Sequence, residues 1–199
     1  MFAMLIAKSA GLAVTGTVLE VKYGPHPSSH TSHPTGPNYF FLTPAIFSVM
    51  SMWVITFGMK VGAGRRDAIE AAKKDGEKDV EDRYDLPNLY AQSTSKHGKT
   101  FNCIQRAHQH IFETFPQAIL TGLVAAASFP LTAAASSLLY FVGRYHLSNG
   151  YACAEGDPSK RYSSPLASYM WIGLMSNWML ALGSCVFQIV GKKRICGVE

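Results

Sequence analysis

The sequence predicts an all-α membrane protein, a bundle of four transmembrane helices with an extra N-terminal arm. Three observations lead there. Charged residues are sparse: 18 Lys or Arg and 13 Asp or Glu in 199 residues, or 16 %, against about 25 % in a soluble domain. They are also segregated. No Asp, Glu, Lys or Arg occurs in 23–59, 114–143 or 162–191. Each of those windows carries an apolar run close to the ~20 residues that a helix needs to cross a bilayer core. A soluble helix keeps charge on its outer face, so an ordinary water-soluble enzyme is excluded. The same windows exclude a disordered chain.

The elements follow in chain order. Residues 1–21 (MFAMLIAKSAGLAVTGTVLEV) are mostly apolar, with one Lys and one Glu, Lys8 and Glu20. They read as a targeting segment or as a retained helix packed on the membrane or on partners, and the second is preferred. Residues 22–38 hold four Pro and read as a linker. His26, His30 and His33 within it suggest a metal tract by composition. With no Cys or carboxylate beside them, a solvated loop is expected instead.

The first span is expected over Tyr39–Val61. A long charged loop follows over 62–100, where eight Lys or Arg alternate with eight Asp or Glu; within it 65–83 is rich in helix formers and suits an exposed helix. The second span runs from Phe101 to about Ser128, with a polar first half. Phe129-Pro130 breaks it, and a third runs from Leu131 to about Tyr151. The fourth spans Leu166–Gly191, and Lys192-Lys193-Arg194 stop it. The organisation is therefore 1–38 as arm and linker, 39–191 as the membrane domain and 192–199 as a basic tail. By the Lys/Arg bias, the loops after spans one and three lie on the cytosolic or matrix-like side.

The four cysteines, Cys103, Cys153, Cys185 and Cys196, form no C-x-x-C pair, so zinc-ribbon and thioredoxin-type chemistry is not expected. The net charge is +5, but acids interleave with the bases, and no nucleic-acid partner is expected.

The chemistry is expected where charge meets apolar sequence. In FNCIQRAHQHIFETFP (101–116), Arg106, His110 and Glu113 stand at i, i+4 and i+7 and share one helix face. Ionisable groups at the edge of a span are costly unless they are paired or face a cavity. Arg106 and Glu113 are two turns apart, roughly 10 Å along the axis, which places them poorly for a direct bond. A small zwitterion could bridge them; an interhelical salt-bridge network is the alternative. His108 falls on another face, so no His-x-His metal pair is expected. Arg144 and Tyr151 form a second i, i+7 stripe at the end of span three, on the side where the first stripe lies. One pocket could hold both. Tyr145 reads as part of an interfacial aromatic belt.

The segments 101–116 and VGRYHLSNGYACAEGDPSKR (142–161), with Pro87-Asn88-Leu89-Tyr90 upstream, resemble the MAPEG family of membrane glutathione enzymes, in particular its microsomal glutathione S-transferase type 3 branch. The resemblance covers roughly 40–190. It implies a four-helix bundle assembled as a homotrimer, with glutathione as co-substrate held between subunits. By position, Arg106, Glu113, Arg144 and Tyr151 match glutathione-binding positions. His110 falls within that binding set, where the family usually has Asn. Arg161 or Lys160 matches the cation near the sulfur, and Arg66 an arginine that some members place at the site. Leu147 stands where relatives usually have Tyr, and Thr114 where one branch has Tyr. The implied mechanism uses a thiolate, stabilised by a cation that lowers the thiol pKa from about 8.5. The lipophilic acceptor would arrive from the lipid.

Two functions are therefore expected as alternatives. One is a glutathione transferase or glutathione-dependent peroxidase acting on lipophilic electrophiles or lipid hydroperoxides in the endoplasmic reticulum or a mitochondrial membrane. The other is a non-catalytic accessory subunit, packed among other membrane subunits.

Overall fold

The computed structural model describes residues 2–23 and 38–190. His26, His30, His33, Cys196 and the Lys192-Lys193-Arg194 stop lie outside them. All regular structure among the described residues is helical: α1 (Phe2–Tyr23), α2 (Leu42–Lys74), the short α3 (Val80–Tyr84), α4 (Lys96–Ala126), α5 (Pro130–Ala152) and α6 (Tyr169–Val190), with short 3-10 turns at Tyr39–Phe41, Pro158–Tyr162 and Pro165–Ser168.

The helix ends are written locally. Ser95 caps α4, its hydroxyl accepting the Gly98 N–H at 3.2 Å. α4 ends just ahead of Pro130, which opens α5 at a position where a missing N–H costs nothing. The expected break at Phe129-Pro130 is where the structure places it.

Two expectations need correction. The first apolar span does not end at Val61; α2 continues to Lys74, so the first part of the expected 62–100 loop is helix. Residues 62–74 (GAGRRDAIEAAKK) contain good helix formers, and nothing in them stops a helix already under way. The turn comes at Gly76 and Asp79, both in the left-handed region with φ of 72° and 53°. The expected exposed helix over 65–83 is therefore the end of α2 plus the five residues of α3.

By length and apolarity, Ala3–Tyr23, Tyr39–Lys74 and Pro165–Val190 qualify as membrane spans. α4 and α5 are less apolar, but their 31 and 23 residues correspond to about 46 and 34 Å of helix, enough for a core of about 30 Å. Large apolar side chains point outward, among them Met52, Ile55 and Met59 on α2 and Leu182 and Ile189 on α6. In water such surfaces would drive association; in lipid they are the matching surface.

The chain divides into two compact units. The first comprises α1, residues up to Met50, 115–143 and the segment from Tyr169. Its helices approach through small residues, as membrane helices do. A Cβ on Gly143 would lie 1.9 Å from the Met170 nitrogen, and one on Gly173 2.3 Å from the Tyr140 nitrogen, so α5 and α6 touch backbone to backbone. α1 is inverted relative to a soluble helix. Its inward stripe is Leu5, Ser9, Ala13 and Glu20, while Val14, Val18, Leu19 and Val21 face out. Ser9 Oγ donates to the Ile172 carbonyl at 3.2 Å, and Ser176 Oγ to the Ser9 carbonyl at 3.2 Å. Glu20 accepts the Leu131 and Thr132 N–H groups at 2.8 and 2.9 Å and the Thr132 hydroxyl at 2.6 Å. α1 thus supplies the N-terminal cap of α5.

The second unit comprises 51–114 and 144–168. Ala68, Ala72, Val80, Tyr84, Ala91 and Phe101 form its apolar cluster. Arg65 lies 4.6 Å over the Phe101 ring and donates to the Tyr84 and Leu89 carbonyls, tying the α2–α4 connection to α2.

Candidate functional site

The polar stripes of α4 and α5 meet within the second unit. Arg144 is fully buried. Its Nη1 donates to His110 Nδ1 at 2.9 Å, and its Nη2 donates to the Thr114 hydroxyl. An arginine can only donate, so Nδ1 of His110 accepts and the ring proton sits on Nε2. That nitrogen lies 3.9 Å from Glu113 Oε2. The His110 ring also meets the Tyr151 ring edge-on, with centroids 6.4 Å apart. Tyr151 is buried, and its hydroxyl accepts from Arg161 Nη1 at 3.0 Å. Arg106, His110, Glu113, Arg144, Tyr151 and Arg161 form one connected cluster.

Arg106 and Glu113 bond each other directly: Nη1 donates to Oε1, and Nη2 to Oε2 at 3.2 Å. This corrects the expectation from axial spacing. Two turns separate the backbones, but arginine and glutamate side chains together span that distance along the helix surface. The pair is half exposed, at 40 % and 45 %. Exposed pairs contribute only about 0.2–1 kcal/mol, so an incoming carboxylate or ammonium displaces one partner at small cost. The cluster holds three guanidinium groups against one carboxylate, and the surplus is positive.

Two candidate residues stay outside it. Lys160 is exposed at the 3-10 turn. Arg66 is exposed on α2, and it is its neighbour Arg65 that turns inward. His108 packs elsewhere, its ring 6.4 Å from Phe57 and 5.0 Å from Phe112; Gly58 leaves it room, since a Cβ there would sit 3.1 Å from Nε2. Tyr145 is exposed beside Trp53, with ring centroids 5.9 Å apart. Among the described residues no three His, Cys, Asp or Glu side chains gather as a metal site.

Sequence reasoning passed over one buried polar residue on the α5 face that carries Arg144 and Tyr151. Ser148 is fully buried, one turn after Arg144 and one before Tyr151, and its hydroxyl has no hydrogen-bond partner among the described residues. The i, i+4, i+7 spacing of Arg144, Ser148 and Tyr151 was the available signal. Thr114, noted only as a departure, turns out to hold Arg144.

The model of the MAPEG family matches residues 39–183. That is most of the chain and covers the cluster, and the protein belongs to this family. It is an integral membrane protein of a family whose members serve glutathione and eicosanoid chemistry, generally with glutathione as substrate and generally as trimers. α1 precedes the matched region. No solved structure matches the chain.

Proposed function

We propose that the protein is a membrane glutathione-dependent transferase or peroxidase acting on lipophilic electrophiles or lipid hydroperoxides, near the microsomal type 3 branch of the family. The observation that carries the reading is the charge imbalance of the α4–α5 cluster. Arg106, Arg144 and Arg161 stand against Glu113 alone, and glutathione brings two carboxylates, one ammonium and an ionisable thiol. Glu113 would take the ammonium and Arg106 a carboxylate. Arg161, with Tyr151, would face the sulfur and favour the thiolate, each pKa unit of lowering corresponding to about 1.4 kcal/mol. Arg66 and Lys160, outside this chain's own cluster, would act only across a subunit boundary in a trimer. The endoplasmic reticulum or a mitochondrial membrane is the proposed location.

A second reading is favoured by two specific observations. Leu147 is fully buried where relatives usually carry a hydroxyl, and α1 adds an outward apolar face ahead of the family region. Both suit a non-catalytic subunit packed among other membrane proteins.

Calorimetric titration of the detergent-solubilised protein with glutathione separates the two. Binding is expected, and Arg106→Ala should weaken it about 10- to 100-fold, because one charge-assisted bond is worth about 1.5–3 kcal/mol. No binding by the unsubstituted protein would remove the enzyme reading and leave the accessory one.

A further inference from the structure

Three consecutive residues of the α2–α4 connection are held by side chains of the helices beside them. Arg65 Nη2 of α2 donates to the Leu89 carbonyl at 3.3 Å. Asn102 of α4 holds Ala91 twice: its Oδ1 accepts the Ala91 N–H at 2.7 Å, and its Nδ2 donates to the Ala91 carbonyl at 3.0 Å. Between these two ties the Tyr90 hydroxyl donates to Gln109 Oε1. Ala91 is itself buried in the apolar cluster with Phe101. A surface connection is ordinarily the mobile part of a fold. Here it fixes one half-buried phenol, as a preorganised binding site requires.

The phenol is fixed against the polar stripe of α4. Arg106, Gln109, His110 and Glu113 stand at i, i+3, i+4 and i+7 and share one helix face. The phenols of Tyr90 and Tyr151 both lie near enough to the Arg106 guanidinium to feel its charge. All of these residues belong to the second unit. Arg106 and Glu113 bond each other directly, so their opposite charges are one hydrogen bond apart. An α-amino acid carries its ammonium and carboxylate on one carbon, at a comparable separation. It can therefore exchange partners with the pair, ammonium to Glu113 and carboxylate to Arg106. A carboxylate presents about four acceptor positions, of which a bidentate arginine fills about two. Tyr90 offers an O–H for the rest, and Gln109, accepting through Oε1, keeps two N–H donors on Nε2.

We propose that Tyr90 and Gln109 complete, with Arg106 and Glu113, a subsite for an α-amino-acid head. The γ-glutamyl end of glutathione, rather than its glycine carboxylate, is then what this face of α4 recognises. The proposal rests on the glutathione reading above and adds to it two binding residues and the end of the ligand they hold.

The test is calorimetric titration of the detergent-solubilised full chain with glutathione, its glycine monoethyl ester and γ-glutamylcysteine. The last two keep the amino-acid head and lack a free glycine carboxylate. Tyr90→Phe should weaken all three about tenfold, as expected for one hydrogen bond to a charged group. Gln109→Glu keeps an acceptor for the Tyr90 hydroxyl but sets an anion against the incoming carboxylate. It should weaken all three about tenfold or more while the unfolding temperature holds. If the contact only braces the connection, Tyr90→Phe lowers the unfolding temperature and Gln109→Glu leaves binding unchanged, which would overturn the proposal. A Tyr90→Phe loss seen with glutathione and absent with the other two ligands would overturn the choice of end. No binding of any ligand by the unsubstituted protein would remove the glutathione reading and this one with it, whereas binding unaffected by either variant would remove this one alone.

Discussion

Glu20 is the residue on which the place of α1 in the fold can be tested. Its carboxylate accepts three hydrogen bonds from the first turn of α5 at 2.6–2.9 Å and is buried. Removing a cap costs about 0.5–2 kcal/mol, and losing a charge aligned with a partly buried helix dipole costs up to about 2 kcal/mol more. Glu20→Ala should therefore destabilise the protein by about 2–4 kcal/mol. In a chain of this size each kcal/mol moves the midpoint by about 2–4 °C, so a fall of about 5–15 °C is expected. Glu20→Gln keeps one carbonyl acceptor and should lose about half as much. The assay is thermal unfolding in detergent followed by tryptophan fluorescence. A midpoint within about 1 °C of the unsubstituted protein for Glu20→Ala would refute the reasoning, because the cap would then carry no stability.

Gly143→Ala places a methyl group 1.9 Å from the Met170 backbone nitrogen, which no rotamer relieves; it should cost 3 kcal/mol or more and show as loss of folded material in detergent chromatography. Arg144→Lys cannot reach His110 and Thr114 together and should weaken glutathione binding about tenfold, read by calorimetry. Glu77, in the α2–α4 connection, sits below the usual carboxylate range: burial raises its pKa, but hydrogen bonds from Ser95, Tyr84 and Ser93 and the charge of Arg83 outweigh that. A lowered pKa stabilises the folded state above the ordinary value near 4.5, and the contribution is lost as pH falls through the folded value. Protease cleavage of residues 75–95 should accordingly rise on acidification, and Glu77→Gln should flatten that rise.

The helices were legible because the lipid-facing requirement is written residue by residue: the charge-free windows mark helices, and Pro130 marks a break. The end of α2 was less legible, since GAGRRDAIEAAKK is compatible with helix or charged loop and only packing of Ala68 and Ala72 against Tyr84 and Phe101 decides. At the site, helical spacing put Arg106, His110 and Glu113 on one face, and the structure joins them to Arg144. Axial spacing misjudged the Arg106–Glu113 pair because it counts backbone rise and ignores side-chain reach. The capping role of Glu20 was not legible at all. It joins residues more than a hundred positions apart, and one acid in an apolar helix carries no sign of its partner.

The most direct measurement of the central claim is the thiolate absorbance of glutathione titrated with pH in the presence of the protein. If the guanidinium surplus around Tyr151 and Arg161 receives glutathione, the bound thiol should ionise at least one pH unit below its free value of about 8.5, and Arg161→Gln should return it toward that value. A titration curve identical to that of free glutathione at saturating protein would contradict the account.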